Sequence, residues 1–194
     1  MFQFKKLVKS KAIDYWEQRL RAESGLLPSL KFFHPQYMSL AKPHPIWWTA
    51  GENPYEVSKA VIQCRMLSGR YRTRQLTSKW SESQCSNCPA PQCGNVIESL
   101  EHLLLECPAY AKIRSTVIRK CRAIENPAIM QYINFFLAQP QSSIMQFLLD
   151  ASALPYTQKL ISEYGCSILT IIFSLTRTWC YSVHRERLKF IKST

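Results

Sequence analysis

A mainly α-helical chain, a small helical domain with an embedded CCHC zinc knuckle and a Pro/aromatic-rich extended arm, is what three observations predict. Apolar residues recur at helical spacing through most of the 194 residues. Five glycines against eleven prolines suit helices with stiff connectors better than a β-sandwich. Four of the eight cysteines and one of the four histidines fall within residues 85–107, a density that short chains use to fold around a metal ion.

The elements follow in order. Over residues 3–24 the periodicity reads as helical, with Leu7, Ile13, Trp16 and Leu20 expected on one face, and Lys5, Lys6, Lys9, Lys11, Arg19 and Arg21 around it. Gly25 and Pro28 stop it. In residues 28–51, Pro28, Pro35, Pro43 and Pro45 alternate with Phe32, Phe33, Tyr37, Trp47 and Trp48. Proline forbids a long helix there, so the stretch reads as an extended arm that packs over neighbouring structure in preference to stacking on bases. The next helix opens with Asn53 as cap, Pro54 in the first turn and Glu56 placed to complete a capping box. Val57, Val61, Cys64 and Leu67 are its expected buried stripe, and Gly69 ends it.

Arg70, Tyr71, Arg72, Thr73 and Arg74 come next, followed by Lys79 and Trp80. Guanidinium forks match phosphate oxygens and the aromatic rings offer stacking surface, so this segment is a candidate nucleic-acid contact; the competing reading is a solvated basic loop. Beyond the cysteine cluster, residues 110–124 predict a helix with Ile113, Val117 and Cys121 inward. Its outer face carries Lys112, Arg114, Arg119, Lys120 and Arg122, of which Lys112, Arg119 and Lys120 are the candidate phosphate contacts. Pro127 starts a core helix and residues 142–149 a short one. A long helix over 158–192, with a break near Gly165, has too few uncharged residues before Arg177 to span a bilayer. His184 in it reads as a capping or solvated side chain. Four segments result: 1–51, 52–80, 81–124 and 125–194.

Within the cluster, Cys93, His102 and Cys107 are the firm ligand candidates, since two separated pairs can close round one ion. The remaining ligand is Cys88, through Cys-x4-Cys with Cys93, or alternatively Cys85, through Cys-x2-Cys with Cys88. Zinc is the expected ion. Four protein ligands leave no open position for a catalytic water, so the site reads as structural.

Charge sets the partner class. Twenty-five Lys and Arg against thirteen Asp and Glu leave a net charge of +12, which points to a polyanion and most simply to RNA or DNA. The opening residues carry no secretory signal pattern, and clustered thiols suit a reducing interior, so an intracellular setting, nucleus and cytoplasm, is expected. No nucleophile–base pair and no metal-binding carboxylate set can be picked out. A non-catalytic protein without membrane anchor or small-molecule substrate is therefore expected.

Several stretches together resemble a known family: Leu-Pro-Ser-Leu-Lys-Phe-Phe-His-Pro-Gln-Tyr-Met-Ser-Leu at 27–40, His-Pro-Ile-Trp-Trp-Thr-Ala-Gly-Glu-Asn-Pro-Tyr-Glu-Val-Ser-Lys-Ala at 44–60, Arg-Met-Leu-Ser-Gly-Arg-Tyr-Arg-Thr at 65–73, Leu-Glu-His-Leu-Leu-Leu-Glu-Cys-Pro-Ala at 100–109 and Thr-Arg-Thr-Trp-Cys-Tyr-Ser-Val-His-Arg-Glu-Arg-Leu at 176–188. The set, which covers nearly the whole chain, is similar to the C-terminal region of non-LTR (LINE-type) retrotransposon polyproteins, downstream of the reverse transcriptase. The resemblance implies a zinc-knuckle module that helps an RNA-directed DNA polymerase engage template RNA and target DNA during target-primed reverse transcription. It also implies the upstream reverse transcriptase domain as a partner. Its zinc ligands would carry over to Cys93, His102, Cys107 and either Cys88 or Cys85. The polymerase motif Tyr-x-Asp-Asp is absent from this chain, which implies a fragment or a stand-alone descendant. The alternative reading is a protein-interaction scaffold docking on a polymerase or host partner.

Overall fold

The computed structural model describes residues 2–27, 30–34, 42–81 and 85–192, and the described residues are mainly helical. The arm prolines Pro28 and Pro35 and Tyr37 lie outside them.

Helix α1 runs Phe2–Ser24. A four-residue helix α2, Pro45–Trp48, interrupts the arm, so the arm is not extended throughout. Helix α3, Pro54–Leu67, is capped by Asn53, whose side chain accepts from the backbone N–H groups of Tyr55 and Glu56. Such a cap stabilises by about 1 kcal/mol. The second half of the expected capping box is replaced: the Glu56 carboxylate accepts from Lys59 and Arg177 instead. Gly69 ends the helix with φ +65°, a left-handed conformation that glycine adopts without a Cβ clash.

The buried stripe of α3 is a correction to the sequence reading. Ala60, Ile62, Gln63, Met66 and Leu67 are buried, whereas Val57, Val61 and Cys64 are half-buried. Apolarity alone misplaced the face because two polar side chains turn inward. Gln63 donates to Leu148 O and Thr176 Oγ1. Lys59, anchored by Glu56 and Thr178, lies under the Tyr55 ring.

After a single turn α4, Arg74–Thr77, and the knuckle, the chain forms α5 Ala111–Arg122, α6 Pro127–Leu137, α7 Gln141–Asp150, α8 Pro155–Tyr164 and α9 Ser167–Lys192. Asn126 caps α6 through Ile129 N–H, and Gly165 (φ +79°) separates α8 from α9. The long α9 packs against α2, α3, α5, α7 and α8 and buries Ile172, Phe173, Cys180 and Val183 almost completely. It is the axis of one core that also includes Met66, Leu103, Tyr110, Tyr132 and Leu149.

The described part of the arm is pinned to this core. Phe32 and Phe33 lie against it, Gln146 Nε2 donates to Phe32 O at 3.0 Å, and Lys31 pairs with Glu101. Ile46 is buried while Trp47 and Trp48 keep partly exposed rings. Arg177, 1% exposed, ties arm to axis: its guanidinium donates to Thr49 Oγ1 (2.5 Å), Thr49 O (3.1 Å), Ile46 O and Glu56. No helix among the described residues is long and apolar enough to cross a membrane.

Candidate functional site

A short hairpin starts the metal lobe. Asn87 and Ile97 form an antiparallel bridge, flanked by Cys88 N–H to Val96 O (2.8 Å) and Glu98 N–H to Ser86 O (2.9 Å). Its tip is a 3-10 turn, Pro91–Cys93, followed by Gly94 at φ +59°. This fold-back carries Cys88 and Cys93 into one lobe.

The other two candidates sit on an unusual turn. Residues His102–Glu106 form a π-helical segment closed by Cys107 N–H donating to His102 O at 2.7 Å. In an α-helix, residues five apart point about 140° away from each other. Widening the turn to i→i+5 bonding, about 4.4 residues per turn, cuts that offset to about 50°. The π turn therefore swings Cys107 onto the His102 side.

Cys88, Cys93, His102 and Cys107 each offer a ligand atom, and these atoms lie within 4.8 Å of one another. The Sγ atoms of Cys88 and Cys107 are 3.8 Å apart, and those of Cys93 and Cys107 3.4 Å. Thiolates sharing a tetrahedral ion at about 2.3 Å sit roughly 3.8 Å apart, so the spacing fits a single metal. His102 Nε2 is buried with no hydrogen-bond partner, while Nδ1 lies 3.6 Å from Glu106 Oε2. That leaves Nε2 for an ion and Nδ1 for an orienting carboxylate. Arg114 Nη1 donates to Cys107 O at 2.8 Å, tying the lobe to α5.

The choice between Cys85 and Cys88 follows from where the hairpin begins. Cys88 is inside the paired segment and buried; Cys85 precedes it, is exposed, and its Sγ accepts from Asn87 N–H at 3.3 Å. Cys85 is not in the cluster. Burial pushes the thiols of Cys88, Cys93 and Cys107 up, the last to about 11. Metal binding must therefore displace protons.

Beside this lobe lies a buried charge network that the sequence reading missed. Glu98, fully buried, follows the hairpin strand and receives Arg187 at both oxygens, Nε to Oε1 and Nη2 to Oε2, each at 2.7 Å. Its Oε2 also accepts from Arg74 N–H at 2.6 Å, and Arg187 Nη2 donates to Arg72 O at 2.9 Å. Burial lowers the Arg187 pKa, but Glu98 and Tyr71 outweigh it and the value is raised. Glu98 thereby links the metal hairpin, helix α9 and the Arg70–Arg74 segment. Only its position between Cys93 and His102 hinted at a role.

The structure sorts the candidate nucleic-acid residues into two groups. Arg70, Arg72 and Trp80 line a hollow of about 470 Å3, together with Arg65, which the sequence reading did not single out. Arg74 and Arg72 line an adjoining hollow with Cys85; Lys79 lines a separate, more apolar one with Phe32 and Leu76. Lys112 and Lys120 instead border a groove with Thr178, Ser182 and Glu186, and Arg119 is exposed. His184, Arg187 and Ile191 repeat at one side of α9, and Thr178, Ser182 and Glu186 at the other. The two basic surfaces are therefore on opposite sides of that helix.

Tyr71 is a correction. Its ring is 7% exposed, lies under the Arg187 guanidinium at 5.5 Å, and its hydroxyl bonds His184 Nδ1 at 3.0 Å. Burial pushes its pKa up to about 12. It is floor, not a stacking platform for bases. His184, mid-way along α9, is no cap: it is half-buried, bonded to Tyr71, and borders the hollow. Burial, and then the charges of Arg187 and Arg65, hold it below its ordinary value of 6.5.

A pH effect follows. A depressed histidine pKa means the unfolded chain takes up the proton more readily, so this group's stabilisation is complete above pH 6.5. It is lost as pH falls through the lower folded-state value. Thermal denaturation across that range is expected to show a smaller fall in His184→Gln than in the parent protein; equal falls would rule the histidine out.

Comparison with protein-family models, with curated proteins and with solved structures finds no match for the chain.

Proposed function

We propose that this protein is a zinc-stabilised nucleic-acid-binding module of a non-LTR retrotransposon reverse transcriptase protein, helping to bind template RNA and target DNA during target-primed reverse transcription. Three thiolates and an imidazole in a closed tetrad suit zinc among the divalent ions, and their saturation of the ion favours a structural role over catalysis. When bound, zinc supplies folding energy to the lobe; the chain's own residues then present charge. The reverse transcriptase origin and the upstream polymerase domain as partner rest on the sequence resemblance.

The observation that carries the binding role is the arginine-lined hollow beside the metal lobe. Among the described residues, the guanidinium groups of Arg65, Arg70 and Arg72 have no protein hydrogen bond or ion pair, and no carboxylate lines the hollow. Arg187, by contrast, spends its charge on Glu98. Unneutralised arginines gathered at a concave surface, in a chain of net charge +12, favour phosphate oxygens.

The test is RNA affinity across a salt series with zinc-loaded protein. Six phosphate contacts predict a log–log slope of about −4 to −5. Weak binding with a flat slope overturns the reading.

Helix α1 favours a second reading, a scaffold docking on a polymerase or host partner. Phe4, Leu7, Tyr15 and Trp16 on it are all more than half exposed, at 70%, 58%, 56% and 53%. A protein surface that covers this helix would account for them. Salt-insensitive, weak RNA binding together with capture of the polymerase domain would favour it.

A further inference from the structure

We infer that the arginine hollow takes single-stranded nucleic acid in preference to duplex, with one base stacked on Trp80 and the adjoining phosphates held by Arg65, Arg70 and Arg72. This rests on the nucleic-acid reading above and adds the strand state of the ligand.

Three observations lead there. The first is the indole. Trp80 is 69% exposed, more so than Trp16, Trp47 or Trp48, yet it lines a hollow together with the guanidinium groups of Arg65, Arg70 and Arg72, which have no carboxylate partner among the described residues. A large apolar ring left open among cations is poorly placed for a protein core and well placed for a π-face carrying phosphates on its flanks.

The second is shape. The hollow measures about 470 Å3, the scale of a small-ligand pocket rather than of a duplex-wide groove. Its floor is rigid: Tyr71 is clamped between Arg187 and His184, and Ile62 of α3 is buried. Base pairs in a duplex are stacked on their neighbours and offer no free face to an indole. A single strand can splay a base out at little cost.

The third is continuity. A second hollow of about 500 Å3 adjoins the first through the shared Arg72 and Arg187, and Arg74 lines it. Among the described residues neither hollow is lined by a carboxylate, and the two give a strand a path past Arg70, Arg72 and Arg74. The Lys112 and Lys120 surface lies across α9 and does not join this path.

Neither a stacked base nor an arginine–phosphate fork reads the 2′-hydroxyl, so the preference holds for RNA and DNA alike.

The experiment measures fluorescence anisotropy of labelled 12-nucleotide single strands and of 12-base-pair duplexes, in RNA and DNA series. The zinc-loaded full chain is compared with Trp80→Ala and Trp80→Tyr at one fixed salt concentration. The parent protein is expected to bind both single strands at least about tenfold tighter than the duplexes. Trp80→Ala loses about tenfold on single strands and little on duplexes, while Trp80→Tyr, which keeps a ring, retains most of the preference. Because Trp80 is exposed, a global folding defect would lower single-strand and duplex binding together and Tyr would not rescue it selectively. Equal single-strand and duplex affinity with a steep salt slope overturns this inference while the nucleic-acid reading stands. A preference in the parent that survives Trp80→Ala overturns the assignment to the indole. Absence of binding to every probe overturns both the inference and the reading it rests on.

Discussion

Cys107→Ser is expected to abolish stoichiometric zinc binding and to loosen the hairpin at residues 86–98. Cys107 is fully buried, and its sulfur is within 3.8 Å of both other ligand sulfurs, so no neighbouring group can replace it. The hairpin has one bridge and its flanking bonds, whereas Leu103 and Leu104 are buried in the common core and Trp179 holds Leu104 O, so loss of the ion falls mainly on the hairpin. Structural zinc contributes on the order of 10 kcal/mol or more of apparent binding free energy near pH 7, comparable to the whole stability of an ordinary domain. Zinc content after exhaustive dialysis, together with hydrogen exchange over the lobe, measures both effects. Cys85→Ser is the internal control: the exposed Cys85 lies outside the cluster and should retain one equivalent. If Cys85→Ser loses the ion while Cys88→Ser keeps it, the ligand assignment is wrong. Cobalt substitution adds a spectroscopic check, since three thiolates and an imidazole predict tetrahedral bands with sulfur charge transfer.

The second large effect is expected at Glu98→Gln. This change removes one charge from a fully buried pair and leaves Arg187, only 7% exposed in its side chain, without its counter-ion. Breaking a buried pair from one side costs about 3–5 kcal/mol, because the remaining charge keeps its desolvation penalty. For a chain of this size that corresponds to a fall in Tm of roughly 6–20 °C. Converting both members, as in Glu98→Gln with Arg187→Met, should recover much of the loss, because no unpaired charge then remains buried. Since Glu98 also holds Arg74 N–H, and Arg187 holds Arg72 O, the double variant is expected to fold yet bind RNA more weakly. Calorimetry and the salt series separate these two consequences; single and double variants of equal stability would refute the coupling.

Glu98 also gives the candidate metal cluster a route to a surface some residues away. The carboxylate stands between the second cysteine ligand and the histidine ligand in sequence, and reaches α9 and the arginine segment in space. An ion held by the tetrad would fix the hairpin, the hairpin carries Glu98, and Glu98 holds the backbone N–H of Arg74 and the Arg187 that binds Arg72 O.

Local chemistry made much of this protein legible from its residues. Asn53 with Pro54 and Asn126 with Pro127 start helices because a side-chain oxygen and a preset φ act within three residues. Gly69 and Gly165 end them because only glycine enters the left-handed region cheaply. The cysteine–histidine spacing named the metal set to within one ligand. The inward face of α5, with Val117 and Cys121 buried, also followed from periodicity alone.

What stayed hidden depended on partners far along the chain. The buried face of α3 is rotated because Gln63 finds Leu148 O, 85 residues on. Tyr71 turned from candidate stacking ring to clamped floor because His184 meets it across 113 residues, and Arg187 reached Glu98 across 89. The sequence by itself determined the helical class, the capped start of α3, its glycine end and the cysteine–histidine grouping, since each is set by sterics and hydrogen bonds among near neighbours. Only the tertiary structure decided which cysteine closes the cluster, which arginines remain open to an anion and which are neutralised, because burial and charge pairing are properties of three-dimensional neighbours.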